Sequence, residues 1–446
     1  MRDETPQKRS ESSSREPIRI HLASLGCAKN LVDSERLLGH LASAGALVGA
    51  AADEADVVIV NTCGFIEPAI DESLTTISDY VELKKEKPDL RLFAMGCLVE
   101  RSEQALRSAL PGVDGFFGLH QQEELVAACG LRFETGEAGR LLLTPGHSAY
   151  LRISEGCDNC CAYCTIPFIR GPFRSREPDA ILREARDLVS GGVRELNLIG
   201  QDTTSYGRDL NGGPAIHELI ARLAEIKDLR WLRLLYAHPA HFPDDLIEAF
   251  ATIECLVPYI DLPLQHTNDE ILHRMGRLAT RSESIHLIER LRERVPGVAV
   301  RTTFIVGFPG ETRAQFRELV DDVERLRFDH LGVFTYSREQ GTRAAEMPEQ
   351  VSERTKKRRQ EELMLAQQEI AFAKNRSMLG RVVEVLIDGP TEDPEVWIGR
   401  TATQAPDVDS VTLVHASAEQ PDGLATGRFV DAQIVDVAAY DLIAQA

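Results

Sequence analysis

"AYLRISEGCDNCCAYCTIP", residues 149–167, runs from a short apolar stretch straight into four cysteines within eight positions. Ala149 to Ser154 reads as a buried strand. Cys157, Cys160, Cys161 and Cys164 are too close together to staple independent loops, so a disulfide framework is set aside in favour of an inorganic group.

Working outward, five further strand-like runs follow: "RELNLIG", "LRWLRLLY", "PYIDLPL", "VAVRTTFIVG" and "HLGVFTY", with helix-compatible sequence between them. Six strand and helix repeats across 143–375 predict a curved parallel sheet, open or a partial barrel, with function at the carboxyl ends of its strands. The four-cysteine loop follows the first strand and so belongs to that face.

Upstream, 18–133 alternates in the same way. "RIHLASLGC", "ADVVIVNTC" and "LRLFAMGC" read as strands of a smaller parallel α/β unit, and Cys27, Cys63 and Cys97 each fall at the carboxyl end of one. Parallel strands bring those ends to one edge, where open α/β sheets bind ligands. The plain alternative is that they are small buried hydrophobes. Cys129 and Cys255 show no such placement and take that plainer reading.

Residues 1–17 are polar, lack the apolar centre of a secretory signal, and are expected to be a disordered leader. Nine cysteines without such a signal fit a reducing cytoplasm. No apolar run approaches the roughly 18–20 residues of a membrane helix. After a charged helix over about 350–378, the segment 376–446 changes character. "RVVEVLIDG", "EVWIGRT", "VTLVHA" and "RFVDAQIVDVAAYDLIA" predict a small antiparallel β-barrel.

That last segment carries four basic against twelve acidic residues, and the whole chain is at −20. Such a balance opposes nucleic acid as direct substrate and favours a cationic protein partner. The one basic run, "RTKKRR" from Arg354 to Arg359, is read as the solvated face of a helix.

A 4Fe-4S cluster is ordinarily held by four thiolates. Cys157, Cys161 and Cys164 supply three and leave an iron open to chelate a small molecule. Cys157, Cys160 and Cys164 form a second possible register, and zinc with Cys160 as a fourth ligand is a further alternative, disfavoured because Cys160 adjoins Cys161.

The Cys-x3-Cys-x2-Cys loop, with aromatic Tyr163 before its third cysteine and a six-fold β/α sheet behind it, resembles the radical S-adenosylmethionine superfamily. The resemblance implies Cys157, Cys161 and Cys164 as cluster ligands. It implies that Gly200, Gln201 and Asp202 contact the methionine amine of S-adenosylmethionine, and that backbone at Gly307 and Gly310 in "FIVGFPGET" approaches that cofactor closely. Cys160 is then a small filler.

From about Ile18 to Ile443 the resemblance narrows to the methylthiotransferases, with a cysteine-bearing α/β domain, a partial (β/α)6 TIM-like radical core and a C-terminal TRAM barrel. It makes Cys27, Cys63 and Cys97 ligands of a second 4Fe-4S cluster that carries or donates sulfur. "SLGCAKNLVDSE", "DLPLQH" and "GVFTYSREQGT" resemble the type that modifies an aspartate of ribosomal protein S-twelve. One S-adenosylmethionine would methylate the sulfur, and a second would give the radical that abstracts hydrogen from the aspartate β-carbon. A flavodoxin-like or ferredoxin-like electron donor is implied. The rival readings are methylthiolation of adenosine in transfer RNA and an iron-sulfur electron carrier with an interaction barrel.

Overall fold

The computed structural model describes residues 16–133, 139–416 and 423–446. The chain forms two compact units, one comprising residues up to Gly64 with Pro68–Leu141, the other Phe65–Glu67 with Leu142–Ala446. The expected leader lies outside the described residues except for Glu16 and Pro17. Among the described residues no helix is long and apolar enough to cross a membrane.

The first unit is a five-stranded sheet of β1 (Arg19–Ser24), β2 (Leu47–Val48), β3 (Val57–Thr62), β4 (Arg91–Gly96) and β5 (Gly115–Phe117), in the order β2-β1-β3-β4-β5. Every pairing is parallel. β3, "VVIVNT", is buried along its whole length, as a central strand covered on both faces must be. The three strands expected from sequence form its middle. The two edge strands, of two and three residues, are too short to leave a pattern.

The second unit is built on six parallel strands: β6 (Ser148–Arg152), β9 (Glu195–Ile199), β10 (Trp231–Leu234), β11 (Leu256–Asp261), β12 (Ala299–Val306) and β13 (His330–Thr335). They lie in the order β13-β12-β11-β10-β9-β6, an open sheet. The strands β7 (Ser154–Glu155) and β8 (Arg174–Ser175) pair separately as a short antiparallel ribbon. Helix 216–224 shows why the connections fold as they do. Ile216, Leu219, Ile220 and Leu223 recur at helical spacing and are all buried against the sheet. Each stabilises by roughly 1.5–3 kcal/mol.

The C-terminal strands β14 (Val382–Pro390), β15 (Val396–Thr401), β16 (Thr412–His415), β17 (Phe429–Ala438) and β18 (Asp441–Gln445) close into a barrel in the order β14-β15-β16-β18-β17. The expectation of an antiparallel barrel needs correction, because β16 and β18 pair in parallel. Alternation along a strand specifies its faces and not its direction.

The barrel is fixed to the sheet by buried charge. Glu195, the first residue of β9 and fully buried, accepts from Arg400 of β15 at 2.8 Å and from Arg233 of β10 at 3.1 Å. Arg400 also reaches Asp388 of β14, and Asp388 meets His147 at 2.8 Å. Asp407 accepts from Tyr150 at 2.7 Å, and Asp409 from Tyr259 at 2.6 Å. Glu384 takes Arg230 and Trp231. Four of these acids, Glu384, Asp388, Asp407 and Asp409, are thus spent on the sheet, which reduces the outward field expected from composition. Glu195 and Trp231 are the first residues of their strands, at the end opposite the one from which the cysteine loop leaves.

Removing one member of a buried charge network strands the others. Arg400→Met is expected to cost about 3–5 kcal/mol, read as a lowered thermal midpoint; a change under about 1 kcal/mol would mean the network behaves as a surface pair. Burial would raise the Glu195 carboxyl, but Arg400 and Arg233 outweigh it and hold it at about 2. The contribution should therefore persist down to about pH 4.5, the ordinary value, and be lost as pH falls toward about 2.

Candidate active site

In the first unit Cys27 follows β1 by three residues, while Cys63 and Cys97 directly follow β3 and β4. These three strands are neighbours, so the cysteines share one edge. Close packing draws their turns together. A Cβ at Gly26, whose φ is +87°, would lie 3.0 Å from Cys63 Sγ, and one at Gly64 would lie 2.9 Å from the Cys97 carbonyl carbon. Only glycine permits both approaches.

Asn30, 1% exposed, ties all three turns. Its Nδ2 donates to Leu25 O at 2.8 Å and Thr62 O at 3.0 Å, and its Oδ1 accepts from Cys97 Sγ at 3.5 Å. Asn61 Nδ2 in turn donates to the Asn30 carbonyl. Sequence reading missed Asn30, since an asparagine in the first turn of a helix is commonplace. Cys27 is exposed, Cys63 half-buried and Cys97 buried. Cys129 is buried, its thiol pushed up to about 12 by that burial, which suits the inert role expected of it. Cys255 is half-buried and directly precedes β11, at the amino end of that strand.

In the second unit the ribbon β7–β8 closes the base of the four-cysteine loop, pairing Ser154 with Ser175 and Glu155 with Arg174. The loop is then threaded past two others. Ala162 N donates to Met275 O at 2.7 Å, and Ala344 N donates to Ala162 O at 2.8 Å. Tyr163 packs beside Ala162, Met275, Phe308 and Tyr336.

Three of the four sulfurs receive an N–H bond. Asn159 Nδ2 donates to Cys157 Sγ at 3.4 Å, Arg277 Nη1 to Cys161 Sγ at 3.8 Å, and the Ile166 amide to Cys164 Sγ at 3.4 Å. Exposed Cys160 instead turns its thiol to the Asp158 carbonyl at 3.7 Å. Donors of this kind stabilise thiolate and cluster sulfur. The pattern favours Cys157, Cys161 and Cys164 over the register that includes Cys160. A cavity of about 420 Å³ opens at all four cysteines, with Phe168 and Arg343 among the other residues lining it. Burial raises the Cys157 thiol and pushes Cys164 up to about 12, so ligation there must displace protons.

Among the described residues Asp202, His238 and His241 have ligand atoms within 4.8 Å of one another.

Gln201 offers a fit for the cofactor amine: its Nε2 donates to Glu155 at 3.2 Å, while its buried Oε1 has no donor in the protein. Elsewhere the expected glycines already answer to packing of the chain on itself. A Cβ at Gly200 would meet Ser154 Oγ at 2.4 Å, at Gly307 Lys356 Cγ at 2.3 Å, and at Gly310 Arg274 Nη1 at 2.0 Å. Asp202 is 2% exposed and turned into a hydrogen-bond network of the protein.

In the basic run on helix 353–376, Arg354, Lys357 and Arg358 are exposed, as the solvated reading expects, and the other two cations depart from it. Lys356 and Arg359 are buried. Lys356 Nζ donates to Tyr336 O at 2.7 Å, and Arg359 pairs with Glu311 at 3.2 Å. Glu311 in turn accepts from the Gly307 and Phe308 amides, so this helix clamps the loop after β12. Composition cannot separate a clamp from a solvated face.

Three family models match the chain: the Radical SAM superfamily over residues 151–323, Uncharacterized protein family UPF0004 over 19–118, and the TRAM domain over 379–446. The ribosomal protein uS12 methylthiotransferase RimO of Geobacter sulfurreducens is 44% identical over 443 residues, spanning 96% of this chain and 98% of the relative. Its namesake from Pelotomaculum thermopropionicum is also 44% identical, over 95% and 98%. Among solved structures, the radical S-adenosylmethionine methyltransferase TsrM of Kitasatospora setae aligns with a TM-score of 0.52 at 17% identity, covering 72% of this chain and 75% of that one. That likeness carries the fold alone.

The donor pattern yields a direct test in a chain whose Cys27, Cys63 and Cys97 are all alanine. After anaerobic reconstitution, Cys161→Ala should lose the iron and the cluster absorbance, and Cys160→Ala should keep both. The reverse result would assign the other register.

Proposed function

The chain belongs to the ribosomal protein uS12 methylthiotransferase RimO family, and from that membership we propose how its residues divide the insertion of a methylthio group at the β-carbon of an aspartate in uS12. It is a radical SAM methylthiotransferase with a TRAM domain.

In this reading Cys157, Cys161 and Cys164 hold a 4Fe-4S cluster with one open iron, and Gln201, Tyr163 and the Gly200 turn receive S-adenosylmethionine. Cys27, Cys63 and Cys97 hold a second 4Fe-4S cluster that brings the sulfur. When bound, these groups supply one-electron chemistry able to attack an unactivated C–H bond, which offers no acidic proton to an ordinary base. The chain's own residues bind and orient. Arg277, half-buried, reaches both Cys161 Sγ and the Pro263 carbonyl, and so joins the cysteine loop to the loop after β11. Asn30 keeps the three turns of the first unit in register. The clamp of Lys356 and Arg359 fixes the backbone at Gly307.

The cluster needs a low-potential electron, for which a flavodoxin-like or ferredoxin-like carrier is the donor in this reading. The barrel residues Glu392, Asp393, Glu395, Asp431 and Asp436 remain exposed and suit a cationic ribosomal protein. The cytoplasm, whose reducing poise keeps thiols free, is the matching compartment.

The observation that carries the proposal is that both cysteine trios stand at the carboxyl ends of parallel strands, each in its own sheet. The holoenzyme, supplied with S-adenosylmethionine, a reductant and uS12, should add CH2S to one aspartate, read by mass spectrometry of the uS12 peptide. Unmodified uS12 beside a new methylthio nucleoside in added transfer RNA would overturn it.

A further inference from the structure

Asp202 stands where the resemblance expects a contact to the methionine amine, yet the chain already uses its carboxylate in full. Oδ1 accepts from Thr204 Oγ1 at 2.7 Å and from the Ser205 amide at 3.2 Å. Oδ2 accepts from Ser205 Oγ at 2.8 Å, Asn159 Nδ2 at 2.9 Å and His241 Nδ1 at 2.7 Å. Five donors on a group with about four lone-pair sites leave none for an ammonium. The same saturation speaks against a metal ion among Asp202, His238 and His241, close as their ligand atoms are.

The network has an outlet. Asn159 Nδ2 carries two hydrogens; one reaches Asp202 Oδ2 at 2.9 Å and the other Cys157 Sγ at 3.4 Å. Without the first bond the Asn159 amide would be free to rotate about its terminal torsion. Asp202 is itself held from behind, because it caps the turn 203–205 and its partner His241 stacks on His238 with ring centres 4.6 Å apart. Rigidity therefore passes from the ends of β9 and β10, through one carboxylate and one amide, to a single sulfur. Of the three N–H donors to the cysteine loop, this one alone is a neutral side chain with a second anchor.

We propose that Asp202 and Asn159 are positioning residues which hold one N–H on Cys157 Sγ and so raise the reduction potential of the cluster bound by Cys157, Cys161 and Cys164. This rests on the cluster reading given above. An N–H bond to a ligand sulfur draws off charge and favours the reduced cluster, which carries one more electron. Losing it makes reduction harder.

The test uses the full chain, reconstituted, with Cys27, Cys63 and Cys97 changed to alanine so that one cluster reports. Potentiometric titration followed by electron paramagnetic resonance gives the potential, and calorimetry gives the affinity for S-adenosylmethionine. Asn159→Leu removes the donor from a half-exposed loop position and should shift the potential downward at full iron content. Asp202→Asn removes a buried negative charge as well as changing the network, so it is read through the affinity, which it should leave unchanged. An unchanged potential in Asn159→Leu would overturn the proposal. So would an affinity loss of about tenfold or more in Asp202→Asn, which would return Asp202 to the methionine amine. A parent chain that loads no iron would instead overturn the cluster reading, and this inference with it.

Discussion

In a parallel sheet every strand delivers its carboxyl end to the same edge, and this constraint organises both units. Cys27, Cys63 and Cys97 are separated by more than thirty residues each, yet β1, β3 and β4 are neighbours and the three turns must meet. The carbonyls and amides at such an edge have no ladder to join, so side chains must satisfy them. Asn30 does this for three turns at once in the first unit. In the second, Asp202, Thr203 and Asn159 take over the same task around the cysteine loop. Binding residues and supporting residues are therefore distinct sets, and the supporting set is polar and buried.

The opposite end of the second sheet is closed by the barrel. Glu195, Arg233, Arg400 and Asp388 form a buried network, and its value lies in orientation as much as in stability, since a well-packed apolar substitute could stabilise equally. Some of the barrel's partners, His147, Glu195 and Trp231 among them, lie at or just before the amino ends of the strands, opposite the end from which the cysteine loop leaves. The acidity read from composition is thereby divided: Glu384, Asp388, Asp407 and Asp409 anchor, and the exposed remainder meets solvent or a partner.

The strands that matter most were legible. "VVIVNT" and "ELNLI" are apolar runs bounded by polar sequence, and a cysteine at such a boundary marks a strand end without any knowledge of the fold. The ribbon β7–β8 was not legible, because two-residue strands have no period. The parallel pairing of β16 with β18 was invisible for a different reason: direction is decided by which strand a chain returns to. Lys356 and Arg359 looked solvated because burial of a cation depends on a partner far away in sequence, here Tyr336 O and Glu311. Asn30 and Asn159 are distinguished only by what their amides reach, which is a property of three-dimensional neighbours.

The proposed function needs two separate clusters, one on the strand-end cysteines Cys27, Cys63 and Cys97 and one on the loop cysteines Cys157, Cys161 and Cys164. Iron and sulfide counts after anaerobic reconstitution test this most directly, in the unaltered chain and in one with Cys27, Cys63 and Cys97 changed to alanine. About eight irons falling to about four is the predicted result. About four irons in both would contradict it, leaving a single cluster and no site from which sulfur could be inserted.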